Sequence, residues 1–129
     1  MWEEILKRRG STELRRYYRS VFYNALSNYI IENYESGYVI TIPEIKNKLN
    51  EIKELCLLSV DEEKGVRMRG PFNKWFNSKA EMQIRAVLNK MIRLGLMESG
   101  GERRMEGLPN NNRISPEYKL NSRAGERAI

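Results

Sequence analysis

The chain has 129 residues, of which 40% are apolar and 31% are charged, and it contains one cysteine and no histidine. This length suits one domain with a single core. The missing histidines and the lone Cys56 exclude the common zinc sites and the usual partner of a serine or cysteine nucleophile. The net charge of +6 and the pI of about 9.5 indicate an anionic partner.

Residues 1–10 lack the apolar segment of a secretory signal, and no run in the sequence approaches the roughly 20 apolar residues that span a bilayer. We therefore expect no membrane association and a cytoplasmic location, at the nucleoid or in a host cell if the chain is viral. Residues 1–10 are expected to form a separate segment that docks on the domain through a short turn.

Residues 11–33 form the first predicted helix, with Ser11 or Thr12 as its cap. Apolar residues recur at helical spacing from Leu14 to Ile30 and predict a wide buried stripe. The tyrosines of this helix are expected to pack in the core rather than to stack on bases. The start of the helix also carries basic residues that either contact phosphates or stay in water: Arg15, Arg16 and Arg19.

A short strand and a second helix follow the break at Gly37. Residues 38–40 form the predicted strand, because they are β-type and end just before a proline. Thr41-Ile-Pro-Glu is a capping box with proline in the first turn. It predicts a helix over residues 42–50, with an extension to Leu55 left open.

Residues 52–77 are predicted as an insertion that is acidic at first and then basic and aromatic. Between Lys64 and Arg93 the sequence holds eight lysines and arginines against a single carboxylate, Glu81. Alternating cations and aromatics favour nucleic-acid binding, although the aromatics would equally pin the insertion to the core. The cations of the insertion are Arg67, Arg69 and Lys74, and its aromatics are Phe72, Trp75 and Phe76.

Residues 78–94 form the most strongly predicted helix. Ser78 and Glu81 make a second capping box, and Gly95 is typical of a helix end. One face of the helix is an apolar stripe and predicts burial: Ile84, Val87, Leu88, Met91 and Ile92. The other face carries long hydrogen-bond donors that suit phosphates and base edges: Lys79, Gln83, Arg85, Asn89, Lys90 and Arg93.

A two-stranded hairpin is predicted after this helix, with strands at residues 96–99 and 114–120. The polar loop over residues 99–112 carries Arg103 and Arg104 near its start. Such a loop either enters a minor groove or lies on the surface without a ligand. Residues 121–129 are expected to form a flexible tail.

Two stretches of this sequence resemble the winged helix-turn-helix superfamily. They are the Thr-Ile-Pro-Glu-Ile opening of the second helix and the run Val-Leu-Asn-Lys-Met-Ile-Arg-Leu-Gly-Leu-Met-Glu after Ala86. The resemblance covers residues 21–120 and implies a fold that is mainly α with a small β-hairpin, in the α+β class. Its order is helix, strand, helix, helix, strand, strand, with the insertion at 52–77 as a departure between the second and third helices. We expect one winged-helix-like domain over residues 11–120.

Motifs for cofactor chemistry are absent from the sequence. It contains no glycine loop ending in Gly-Lys-Ser/Thr and no GxGxxG, and Asp61 is its single aspartate. We expect no cofactor, no metal site and no enzymatic activity.

The first functional hypothesis is a small DNA-binding regulator of transcription or replication, of phage type. The helix over residues 78–94 would lie in the major groove of double-stranded DNA, with the wing over residues 99–112 at the backbone or minor groove. Lys79, Gln83 and Arg85 would approach bases. The predicted phosphate contacts are Asn89, Lys90, Arg93, Arg103 and Arg104, joined by Arg67, Arg69 and Lys74 if the insertion reaches DNA.

The alternative hypothesis is a protein-interaction adaptor that docks on a polymerase, a replication complex or another large assembly. Its predicted anchors are Phe72, Trp75 and Phe76, since aromatic side chains often dominate protein interfaces. Association with RNA or ribosomes is a weaker third hypothesis. The sequence leaves the oligomeric state open, a dimer included.

Overall fold

A computed structural model of the chain describes residues 2–104 and 114–121, with the side chains of residues 12–99 and 116–121. These ranges are mainly helical and include one small antiparallel sheet, which confirms the predicted α+β class. The elements in chain order are α1 (Trp2–Asn33), β1 (Val39–Thr41), α2 (Ile42–Lys46), α3 (Leu49–Lys64), a 3₁₀ turn (Val66–Met68), α4 (Arg69–Arg93), β2 (Met97–Arg104) and β3 (Ile114–Leu120).

Helix α1 is longer than predicted. It runs without interruption from Trp2, so the predicted start at Ser11 or Thr12 is wrong. A glycine or a serine inside a helix costs only about 1 kcal/mol or less relative to alanine, which the rest of a long helix offsets. The predicted buried stripe is present in α1: Tyr18, Val21, Phe22, Ala25, Leu26, Tyr29 and Ile30.

The start of α2 follows the prediction, but its cap does not. Thr41 has the extended backbone of a cap residue and is followed by proline in the first turn, yet its side chain makes no capping hydrogen bond. The Glu44 carboxylate instead accepts a hydrogen bond of 2.8 Å from the Tyr38 hydroxyl. Helix α2 ends at Lys46, so the predicted continuation to residue 50 is also wrong.

The predicted insertion is a pair of helices. Helix α3 buries Ile52, Cys56, Leu57 and Val60, and Gly65, at φ +88°, turns the chain toward α4. Helix α4 begins at Arg69 with Pro71 in its first turn, where the missing N–H leaves no intrahelical partner unpaired.

The predicted capping box at Ser78 is wrong, since Ser78 lies in the interior of α4. Its hydroxyl donates back to the carbonyl oxygens of Lys74 and Trp75, both at 3.2 Å. A serine hydroxyl can make this bond inside a helix, although serine is more favourable at a helix start. The Ser-x-x-Glu spacing was therefore compatible with both positions.

The end of α4 matches the prediction at Gly95. The Leu96 N–H donates to the Met91 carbonyl at 2.9 Å, and the Gly95 N–H donates to the Ile92 carbonyl at 3.0 Å. These two bonds form a Schellman motif, which requires a left-handed residue at the glycine position. Gly95 has φ +77° accordingly.

The three strands form a sheet in the order β1-β3-β2, with antiparallel pairs throughout. The predicted hairpin is present, and β2 extends to Arg104 with a bulge between Ser99 and Gly101. The apolar face of the sheet closes the core: Ile40, Met97, Tyr118 and Leu120. The rest of the predicted loop, at residues 105–112, and residues 122–129 of the predicted tail lie outside the described residues. Asn121, the first residue of that tail, is held beside the end of α4: its N–H donates to the Leu96 carbonyl at 3.0 Å, and its side-chain amide donates to the Gly95 carbonyl at 2.9 Å.

Helices α1 and α4 meet through an aromatic cluster, which we define as Tyr18, Phe22, Phe72, Trp75 and Phe76. Tyr18 packs edge-on against Phe72 with ring centroids 5.5 Å apart, and Phe22 packs likewise against Phe76 at 5.7 Å. Trp75 contacts Tyr18 and Phe72, both at 5.7 Å. Edge-to-face pairs at these distances are favourable, so this cluster fixes how the two helices pack.

Replacing Leu88 by Ala should lower the free energy of unfolding by about 2–5 kcal/mol, because the leucine side chain is fully buried in α4. Urea unfolding followed by circular dichroism measures the change. The matched control is Met82→Ala on the exposed side of the same helix, which should change stability by about 0.5 kcal/mol or less. Equal stability of the two variants would show that the phase assigned to α4 is wrong.

Gly95→Ala should destabilise the fold by roughly 1–2 kcal/mol, because alanine at φ +77° brings its Cβ too close to the following carbonyl oxygen. Gly70→Ala is the opposite case. Gly70 lies in the first turn of α4 with open space around its Cβ direction. Alanine there should be neutral or stabilising by up to about 1 kcal/mol. Thermal melts of both variants test the Schellman motif, which a harmless Gly95→Ala would contradict.

Candidate nucleic-acid interface

Two adjoining depressions lie along the contact between α1 and α4. The first has a volume of about 330 Å³ and is lined by Arg16, Arg19, Ser20, Tyr23, Gln83, Ala86, Val87, Lys90 and Arg93. The second has a volume of about 420 Å³ and is lined by Thr12, Arg15, Arg19, Trp75, Lys79, Met82 and Gln83. Because they share Arg19 and Gln83, the two form one continuous feature, which we call the basic groove.

Helical spacing places these residues together. On α1, Arg15, Arg19 and Tyr23 recur every four residues, and on α4 Lys79, Gln83 and Lys90 follow the same kind of row. Side chains at i, i+3, i+4 and i+7 share one face of a helix. Each row flanks the buried stripe of its helix, so packing α1 on α4 brings the two rows face to face.

The basic groove has a strong positive charge. Its lining includes six cationic side chains and no carboxylate: Arg15, Arg16, Arg19, Lys79, Lys90 and Arg93. The ion pairs recorded among the described side chains join Lys48 to Glu51 and Arg69 to Asp61, both away from the groove. Uncompensated cations on the two walls of a cleft attract anions such as phosphate groups.

Lys90 and Tyr23 make a specific contact across the groove. The Lys90 ammonium lies 4.1 Å from the centre of the Tyr23 ring, within the range of a cation–π interaction. Burial raises the pKa of Tyr23 above its usual value. Such a contact leaves the positive charge of Lys90 available while it restricts the position of the ammonium group.

Four of the predicted α4 residues line the groove and two do not. Lys79, Gln83, Lys90 and Arg93 lie in the groove, whereas Arg85 and Asn89 are exposed outside it. Gln83 and Arg85 are two residues apart, which places them about 200° apart around the helix. The predicted site therefore divides into residues facing α1 and residues on the outer side of α4.

The site residues predicted in the segment 52–77 lie outside the groove, with the exception of Trp75. Arg69 pairs with Asp61 through Nε and Oδ1 at 3.1 Å, so its charge is partly compensated. Arg67 and Lys74 are exposed, on the 3₁₀ turn and the first half of α4. Phe72 and Phe76 are buried in the aromatic cluster, and Trp75 is half-buried.

The wing arginines are placed only by their backbone. Arg103 and Arg104 pair with Ser115 and Ile114 at the end of the hairpin, and their side chains lie outside the described residues. The rest of the predicted loop, at residues 105–112, also lies outside them. The contribution of the wing to the site stays a prediction.

The predicted site omitted the α1 side of the groove. The sequence left open whether Arg15, Arg16 and Arg19 contact phosphates or stay in water. Tyr23 was predicted to pack in the core. Their four-residue spacing was a usable signal, because it places cations in one row beside the apolar stripe. The sequence alone did not show that α4 packs against that row.

Metal binding and nucleophilic catalysis by a cysteine have little support among the described residues. They contain no group of three or more histidine, cysteine, aspartate or glutamate side chains that could hold a metal ion. Cys56 is fully buried, and burial raises the pKa of its thiol to about 12. It is therefore not available as a thiolate nucleophile. In the described ranges no helix has both the length and the apolar content needed to cross a membrane.

Comparison with known proteins gives no match: no family model, no curated protein and no solved structure is significantly similar to this chain.

Proposed function

We propose that this chain is a small winged-helix-like protein that binds double-stranded DNA and regulates transcription or replication. The observation that carries the proposal is the basic groove, in which six cations from two helices line one surface without a carboxylate. Phosphate contacts supply most of the non-specific affinity for DNA. A continuous row of cations of this kind matches a DNA backbone.

The size and position of α4 support a role in the major groove. From Lys79 to Arg93 this helix spans about 21 Å, and a helix of about 10–12 Å diameter fits a major groove about 12 Å wide. The hairpin that follows would then lie beside the DNA backbone, with Arg103 and Arg104 near it.

The two sides of α4 would make different contacts with DNA. Lys90 and Arg93 face α1 and its arginines, so they hold phosphates and set the orientation of the protein. Arg85 and Asn89 lie on the outer side of α4, where they would meet base edges. Arginine pairs with guanine and asparagine with adenine through two hydrogen bonds each. Lys79 and Gln83, predicted to approach bases, are assigned to the phosphates in this arrangement.

The adaptor hypothesis is the second candidate, and one observation favours it. Leu55 and Leu58, three residues apart on α3, are 39% and 62% exposed, and such a pair suits an apolar partner surface. Its predicted anchors Phe72 and Phe76 are buried, however, and could reach a partner only if the aromatic cluster opened. DNA binding therefore has the stronger support.

The test is a fluorescence-anisotropy titration of labelled duplex DNA at several salt concentrations. Lys90→Ala should weaken binding to all duplexes alike and reduce the salt slope of log K by about 0.9, because one phosphate contact is lost. Arg85→Ala should instead reduce the preference for a sequence selected from a random pool by about 1–3 kcal/mol, the usual value of a bidentate arginine–guanine contact.

Lys64→Ala is the matched control. Lys64 is an exposed lysine at the end of α3, and it contacts Tyr17 rather than the groove. Its removal lowers the net charge by the same amount as Lys90→Ala. Because Lys64 lies outside the groove, the salt slope should stay nearly unchanged. Two results would contradict the proposal and favour the adaptor. One is salt-independent binding by the parent protein, and the other is an equal effect of Lys64→Ala and Lys90→Ala.

A further inference from the structure

The second depression of the basic groove contains an aromatic surface, which the binding of a DNA phosphate backbone does not require. Trp75 is half-buried there, and its ring is supported by Tyr18 and Phe72, with centroids 5.7 Å away in each case. A phosphate needs cations and hydrogen-bond donors, not an indole. Trp75, which also packs in the aromatic cluster, therefore offers the groove a surface for a second kind of ligand group.

The surroundings of Trp75 suit one nucleotide. Arg15, Arg19 and Lys79 line the same depression and would hold the phosphates on either side of a base. Met82, which is 63% exposed, forms an apolar rim beside the indole. The volume of about 420 Å³ falls within the range of about 300–1,000 Å³ that is usual for small-molecule sites.

A base inside a duplex cannot use this surface, because both of its faces are stacked on neighbouring bases. An unpaired base has free faces, and stacking on aromatic side chains beside a cationic backbone channel is how many proteins bind single strands. The rigid support from Tyr18 and Phe72 favours this use, since the indole would not have to be ordered when the base arrives.

We propose that Trp75 is a stacking site for an unpaired DNA base, and that the preferred ligand is a duplex with an adjoining single-stranded stretch. The inference rests on the proposed function, because the duplex part is held by the rest of the basic groove. Lys90 and Arg93, in the first depression, hold the duplex backbone. Trp75, Arg15 and Lys79 hold the first unpaired nucleotide.

The experiment compares three DNA ligands at one salt concentration: a blunt duplex, the same duplex with a short thymidine extension, and the same duplex with an abasic extension of equal length. The two extensions carry the same phosphates, so their difference reports the base alone. We expect the thymidine extension to bind roughly 5- to 150-fold more tightly than the abasic one, the range that follows from the usual energy of base–aromatic stacking.

A spectroscopic readout locates the contact. In a Trp2→Phe background Trp75 is the single tryptophan of the chain, and its fluorescence should be quenched by the thymidine extension and not by the abasic one. Trp75→Leu should lose the preference for the thymidine extension over the abasic one. Trp75→Tyr should keep part of the preference, because a phenol also stacks.

Equal affinity for the thymidine and abasic extensions would overturn the inference and leave the proposed function intact. So would a Trp75→Leu variant that still prefers thymidine. If Trp75→Leu does not fold, the affinity difference and the quenching in the Trp2→Phe protein decide the matter. Absence of blunt-duplex binding by the parent protein would be a failure of the proposed function instead.

Discussion

The contact between α1 and α4 is the interaction on which the rest of the structure depends. Edge-to-face packing of Tyr18 on Phe72 and of Phe22 on Phe76 contributes about 0.5–1.5 kcal/mol per pair beyond the burial of the rings. The same contact sets the two rows of cations opposite one another. The aromatic cluster thus links the stability of the core to the shape of the basic groove, and its one half-buried member, Trp75, belongs to both.

The parts of the fold that local sequence decides were predictable. Gly95 ends α4 because a Schellman motif needs a left-handed residue, and the apolar stripes of α1 and α4 are buried as their spacing indicates. The start of α4 was not predictable from Ser78 and Glu81, because a serine hydroxyl can bond to the preceding turn. Pro71 and Gly65 were the better signals, since proline suits a first helical turn and glycine suits the turn before it.

The site was predictable only on one side. The polar face of α4 follows from helical periodicity, and Lys79, Gln83, Lys90 and Arg93 do lie together. Periodicity could not tell which flank of α4 packs against α1, so Arg85 and Asn89 were grouped with residues that face the other way. The contribution of Arg15, Arg16 and Arg19 depends on that tertiary contact. The burial of Phe72 and Phe76, one of the two interpretations that the sequence left open, depends on it as well, because both rings pack against aromatic residues of α1.

The central claim is that DNA binds where α1 and α4 meet, and amide chemical-shift mapping on the ¹⁵N-labelled chain tests it most directly. On addition of duplex DNA, the largest shifts should fall in the α1 segment 15–23 and the α4 segment 79–93. The amides of α3 should stay close to their free positions. Shifts confined to α3 around Leu55 and Leu58, with unchanged signals along the groove, would contradict the account.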